Sequence, residues 1–113
     1  MSMINDLLTA PPYAVESTLK QLGANLRTAR LRRKLTIEEV AARIGTGYRA
    51  VANAEKGHPT TGIAVYIALL WVYNLLPQMH AVADPSNDIE GETLALSREP
   101  IRTRHRREKD DDF

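Results

Sequence analysis

The amino-acid sequence predicts an all-α fold, in which a compact five-helix domain lies between flexible N- and C-terminal extensions. Between residues 18 and 84, apolar residues recur at the three- and four-residue spacing of amphipathic helices. Two short segments of this kind end at Gly45 and Gly57, where a helix commonly needs a left-handed residue. The chain has 113 residues, 43% of them hydrophobic and 26% charged, which fits one small domain with extensions.

Residues 1–17 are predicted to form an N-terminal extension. The first helix is predicted over residues 17–34, and the second is predicted from Thr36 onwards. Four apolar residues share one side of the first: Leu19, Leu22, Leu26 and Ala29. The second begins with a capping box, in which the side chains of Thr36 and Glu39 each accept a hydrogen bond from the other residue's amide. Its predicted end is Gly45.

A third helix, Tyr48–Lys56, is predicted only two residues later, with Val51 and Ala54 facing the core and Gly57 as its stop. Two short helices joined by a tight turn that contains glycine form a helix-turn-helix.

A fourth helix is predicted from Pro59 to Asn74, and a fifth from Pro77 to residue 84, which completes the domain of residues 18–84. The fourth is apolar on nearly every side, so that one small domain covers only part of it and a homodimer would bury the remainder. Residues 85–113 are expected to form a charged C-terminal tail, which contains a candidate short strand at Thr93–Ser97.

The net charge of +1 is distributed unevenly along the chain. Residues 18–58 contain nine Lys and Arg residues against three Asp and Glu, whereas residues 59–97 contain four acidic residues and no Lys or Arg. A basic block of this size fits a phosphate-binding surface, although it also fits an ordinary solvated face.

Several classes of function are excluded by what the sequence lacks. Without cysteine there are no disulfides or thiolate metal sites, and the three histidines are scattered, so we expect no metal and no cofactor. No Ser/His/Asp grouping and no phosphate-binding glycine loop is present, which argues against an enzyme. The longest apolar run is too short to cross a bilayer, and we expect a cytoplasmic protein.

The chain resembles the Xre/lambda-repressor-like helix-turn-helix family in the residues of the first to third helices. The matching positions are Leu26, Arg30, Leu35, Thr36, Glu39, Val40, Ala41, Ile44, Gly45, Val51, Glu55 and Gly57. Two positions depart from the family pattern. Ile37 stands where a polar residue often contacts a phosphate, and Gly47 stands where Ser or Thr usually caps the third helix.

The resemblance implies that the third helix enters the major groove of DNA, since that groove admits one α-helix. The positions that would meet bases or nearby phosphates are Gly47, Tyr48, Arg49 and Asn53. Candidate phosphate contacts are Arg27, Lys34, Arg43 and Lys56. In the family the residues that match Arg30 and Glu55 form a partly buried ion pair, so these two are assigned to structure.

The remaining candidates concern partners of the domain. Tyr66, Leu70, Trp71 and Tyr73 are candidate dimer-interface residues, with the core of the domain as the alternative. The tail contributes Arg102, Arg104, Arg106, Arg107 and Phe113, which would contact either DNA or a protein partner, or neither.

The predicted function is therefore a dimeric repressor that binds a palindromic operator. The compact domain and charged tail also resemble HipB-like antitoxins, which repress their own operon and bind a HipA-type serine/threonine kinase toxin. Two alternatives stay open: a plain Xre-type regulator without a toxin partner, and a protein-interaction module without sequence-specific DNA binding.

Overall fold

The computed structural model describes residues 6–98, and this part of the chain is helical without any strand, which confirms the all-α prediction. It contains six α-helices and two 3-10 helices. The α-helices are α1 (Asp6–Thr9), α2 (Tyr13–Arg32), α3 (Ile37–Ile44), α4 (Tyr48–Glu55), α5 (Ile63–Val72) and α6 (Ile89–Ser97). The 3-10 helices are Leu76–Ala81 and Pro85–Asn87. The chain divides into two compact units, and the division along the sequence falls between Met79 and His80.

The first unit has one hydrophobic core, to which four helices contribute. Its buried apolar residues are Leu26 and Ala29 of α2, Val40 and Ala41 of α3, Val51 and Ala54 of α4, and Tyr66, Leu69 and Leu70 of α5, together with Tyr73, the residue that follows α5. Burying one such large side chain stabilises the fold by about 1.5–3 kcal/mol. The apolar spacing of the first three predicted helices therefore marks the core correctly.

The ends of α3 follow the local signals in the sequence. The Thr36 hydroxyl accepts a hydrogen bond from the Glu39 amide at 3.0 Å, and the Glu39 carboxylate accepts one from the Thr36 amide at 2.8 Å. Gly45 closes the helix in the left-handed region, with φ of 78°. The predicted capping box and glycine stop are confirmed.

Other helix boundaries differ from the predictions. Helix α2 begins at Tyr13, so residues 13–17 continue the same helix rather than precede it. Helix α5 begins at Ile63 because residues 58–62 form a turn, and it is closed by Asn74 in the left-handed region. The predicted fifth helix is a 3-10 helix, Leu76–Ala81.

The second unit shows that the strand expected at Thr93–Ser97 is wrong, because these residues belong to α6. The carboxylate of Asp88 accepts a hydrogen bond from the Gly91 amide at 2.9 Å and thereby caps the helix. Glu90 and Glu92 lie in its first turn, where acidic side chains favour the positive end of the helix dipole. The cap at Asp88 is a local signal for a helix over this segment.

Candidate nucleic-acid interface

Helix α4 has a buried side and an exposed side, as the helix-turn-helix prediction requires. Val51 and Ala54 are completely buried against the core. Tyr48 and Arg49 are exposed in the first turn, and Asn53 is half-buried one turn later. These three predicted base-reading side chains lie together on the side of α4 that turns away from the core.

The N-terminus of α4 has no side-chain cap. Gly47 occupies the cap position in an extended conformation, with φ of −89° and ψ of 165°. A Cβ atom placed on Gly47 would meet nothing within 4 Å. Unpaired amides at a helix N-terminus bind phosphate well, and this end of α4 leaves room for a DNA backbone to approach.

An ion pair holds the C-terminal end of α4 against α2. The Arg30 guanidinium donates to the two Glu55 carboxylate oxygens at 2.7 and 3.0 Å, and to the Leu35 carbonyl oxygen at 2.9 Å. Both side chains are less than 10% exposed. The hydrogen bond that Arg30 donates to the Glu55 carboxylate raises the pKa of Arg30 above its ordinary value, so the guanidinium stays protonated. Arg30 thus joins α2, the loop before α3 and the end of α4.

Two glycines allow the backbones of α2 and α4 to approach closely. A Cβ atom on Gly23 would lie 2.5 Å from the carbonyl oxygen of Ala54 and 2.6 Å from that of Glu55. A Cβ atom on Gly57 would lie 2.5 Å from the Leu19 carbonyl oxygen, and Gly57 also has a positive φ of 69°. These contacts fix the direction of α4 relative to α2. Sequence reasoning missed Gly23, although a lone glycine inside a helical pattern often indicates close packing.

The four predicted phosphate contacts are dispersed over the first unit. Arg27 is exposed on α2, Lys34 follows the end of α2 with φ of 57°, and Lys56 is exposed at the end of α4. Arg43 lines a shallow depression together with Trp71, on the α5 side of α3. All four are exposed, and Arg43 lies beside the apolar surface of α5.

The predicted dimer interface needs correction. Tyr66, Leu70 and Tyr73 are at most 6% exposed and belong to the hydrophobic core of the protomer, in one cluster with buried residues of α2, α3 and α4. In this conformation they present almost no surface to a second copy. Trp71 is 58% exposed and is the one candidate of the four that lies on the surface.

Arg33 is a structural residue that the sequence did not reveal. Its guanidinium donates to the carbonyl oxygens of Ala29 and Tyr73, both at 2.9 Å, and lies 5.4 Å from the centre of the Tyr73 ring. It therefore connects the end of α2 to the end of α5. An arginine within a basic run gives no sequence signal for this contact.

Some predictions concern residues beyond the described part of the chain. Arg102, Arg104, Arg106, Arg107 and Phe113 all lie outside residues 6–98. Within those residues, no cluster of three His, Asp or Glu side chains is arranged to hold a metal ion. No helix there is long and apolar enough to cross a membrane.

A comparison with known families agrees with the geometry. A helix-turn-helix family model matches residues 26–75, which include α3, α4, α5 and the C-terminal part of α2. No curated protein and no solved structure matches the chain significantly.

Proposed function

We propose that this chain, whose residues 26–75 form a helix-turn-helix domain of the Xre/lambda-repressor-like family of DNA-binding regulators, represses transcription by reading an operator with α4. The observation that carries the proposal is the exposed face of α4. It presents Tyr48, Arg49 and Asn53, while the opposite face is buried and the C-terminal end is held by the Arg30–Glu55 pair. A rigid helix with exposed polar side chains suits the major groove.

The chemistry of the exposed side chains indicates which bases they would read. The Arg49 guanidinium can donate two hydrogen bonds to O6 and N7 of guanine, and the Asn53 amide can pair with N6 and N7 of adenine. Each such bidentate contact contributes about 1–3 kcal/mol of discrimination between bases. Arg27, Lys34, Arg43 and Lys56 would add phosphate contacts that increase affinity without selecting a sequence.

The proposal includes a homodimer, because one eight-residue recognition helix reads only a short half-site. Helix α5 contains no charged residue, and Ile63 and Trp71 are exposed on it, 66% and 58% respectively. A two-fold contact through this uncharged face would bring no like charges of α5 together. Light scattering at micromolar concentration should therefore give twice the mass of one chain, and Trp71→Asp should give the mass of one.

A more specific form of the proposal is the autoregulating antitoxin of a HipA-type kinase toxin. Its support is the sequence resemblance and the charged tail of residues 85–113. Purification of the full chain with the products of adjacent genes tests it, since an antitoxin should copurify with a kinase. A plain Xre-type regulator should bind its operator and copurify with none.

Selection from a pool of random DNA duplexes tests the repressor proposal directly. The full chain should enrich a palindromic sequence, and Arg49→Ala and Asn53→Ala should each relax one position in each half-site while the fold is kept. Tyr48→Ala should weaken DNA binding. Tyr13→Ala is the control, because it removes an exposed tyrosine from α2 instead of α4, and it should leave DNA binding unchanged. If the wild type enriches no sequence, α4 does not read bases.

A further inference from the structure

We propose that a groove between α2 and the turn after α5 is a docking site for an acidic segment of a protein partner. The groove has a volume of about 400 Å³ and is lined by Asn25, Thr28, Arg32, Arg33, Leu75 and Gln78. Two guanidinium groups, two amides and a hydroxyl thus surround one depression, and no carboxylate of the described residues lines it. Carboxylates are the protein groups that such a set of donors binds best.

One of the two arginines is already fixed in place. Arg33 is held by the carbonyl oxygens of Ala29 and Tyr73 and lies over the Tyr73 ring, so its direction is set before any partner arrives. A donor fixed in this way loses little conformational entropy on binding. Arg32, its neighbour, is exposed and forms no ion pair with any residue of the described part of the chain.

The end of α2 does not repel an anion as strongly as a bare helix C-terminus would. Three of its last four carbonyl groups already accept hydrogen bonds: Ala29 from the Arg33 side chain, Arg30 from the Leu35 amide, and Leu31 from the Lys34 amide. Carbonyl oxygens that accept hydrogen bonds contribute less negative potential to the site. The arginines therefore dominate the charge of the groove.

The groove lies away from the surface proposed to bind DNA. Successive residues of an α-helix are about 100° apart around its axis, which places Arg32 about 180° from Gly23, the residue that faces α4. Arg27 is only about 40° from Gly23 by the same geometry. The two arginines therefore lie on different sides of α2, Arg27 beside α4 and Arg32 opposite it. An acidic segment could occupy the groove while α4 is bound to DNA.

The test uses the full chain and a fluorescent oligoglutamate peptide, with oligoglutamine as the control peptide. Oligoglutamate should bind in a saturable manner and oligoglutamine should not. Arg32→Glu and Gln78→Glu, which place a carboxylate on opposite walls of the groove, should each weaken oligoglutamate binding by about ten-fold or more. Arg33→Lys, which keeps the charge but loses the hydrogen bonds that fix the guanidinium, should also weaken oligoglutamate binding. Thermal unfolding verifies that this variant is folded.

The matched control is Arg27→Glu, which makes the same charge change on the other side of α2. It should leave oligoglutamate binding unchanged and weaken binding to random duplex DNA. Arg32→Glu should weaken oligoglutamate binding and leave binding to random duplex DNA unchanged. Equal loss of DNA binding in both variants would make the groove part of the DNA surface and overturn the inference. So would peptide binding that neither Arg32→Glu nor Gln78→Glu changes, or a groove that inorganic phosphate fills in preference to the peptide. These outcomes leave the base-reading role of α4 untouched.

Discussion

Helices α3 and α4 are both eight residues long, yet they are held in different ways. Helix α3 is stabilised locally, by the reciprocal hydrogen bonds of Thr36 and Glu39 at its start and by Gly45 at its end. Helix α4 has no side-chain cap, and α2 holds its far end through the ion pair with Arg30 and the close approach at Gly23. A helix fixed from its C-terminal end can leave its N-terminus open to DNA.

Removing one member of the ion pair should have the largest effect, since it strands a buried charge. Glu55→Ala should lower the free energy of unfolding by roughly 3–5 kcal/mol, and DNA binding should be lost with the fold. Chemical denaturation of the wild type and of Glu55→Ala measures this difference in the free energy of unfolding.

The double variant Arg30→Met/Glu55→Leu is the control, because it removes both charges and keeps apolar volume. It should recover most of the lost stability. If Glu55→Ala alone proved as stable as the wild type, α4 would not depend on this pair.

The next effect concerns Tyr73, which lies near the Arg30–Glu55 ion pair. Its hydroxyl is buried and has no hydrogen-bond partner among the described residues. Burial, with the nearby Glu55 charge, raises the pKa of Tyr73 from 10.0 to about 12. Between these pH values the unfolded chain releases the phenol proton and the folded chain keeps it, so stability falls as pH rises. At about 1.4 kcal/mol per pH unit, the loss reaches roughly 2–3 kcal/mol by pH 12.

Tyr73→Phe isolates this contribution, since it removes the titrating hydroxyl and no hydrogen bond. The variant should be at least as stable as the wild type near pH 7, because the hydroxyl it loses is buried and unpaired, and its advantage should grow above pH 10. Tyr13→Phe, at a tyrosine that is 82% exposed, should follow the wild-type curve throughout. Identical pH dependence in the wild type and Tyr73→Phe would contradict the assignment.

Gly23→Ala tests the close approach of α2 and α4. The added Cβ would collide with the backbone oxygens of Ala54 and Glu55, so α4 must shift, at a cost of about 1–3 kcal/mol. The better helix propensity of alanine offsets up to about 1 kcal/mol of this. The free energy of operator binding should fall by more than the free energy of unfolding, because the direction of α4 changes. Ala10→Gly, outside the helices of the first unit, should change neither quantity appreciably.

The contrast between the two helices also explains what the sequence could predict. The ends of α3 are encoded within ten residues by Thr36, Glu39 and Gly45, and the structure agrees with that prediction. The roles of Gly23 and Arg33 depend on contacts with residues about thirty to forty positions away, which no local pattern reveals. For the same reason the core positions of Tyr66, Leu70 and Tyr73 could not be distinguished from an interface. Apolar spacing identifies which residues avoid water but not what covers them.

A smaller effect is expected at the start of α3. Thr36→Ala removes one partner of the capping box and should lower the free energy of unfolding by about 1 kcal/mol. Its effect on operator affinity should be slight once the protein is folded, since α4 is anchored elsewhere. Thr36→Ser, which keeps the hydroxyl, is the control and should retain nearly all of the stability. A loss comparable to that of Glu55→Ala would mean that α3 is not locally stabilised.

The smallest change in stability is expected from Gly47→Ser, which would give α4 the kind of cap that α3 has. A serine in the cap position is better than glycine by only a few tenths of a kcal/mol, and the site has open space for its side chain. The serine hydroxyl would, however, accept a hydrogen bond from an amide in the first turn, one of those proposed to meet a phosphate. Stability should therefore rise slightly while operator affinity falls, as measured by thermal unfolding and DNA titration. A rise in both would show that the open N-terminus of α4 plays no part in binding DNA.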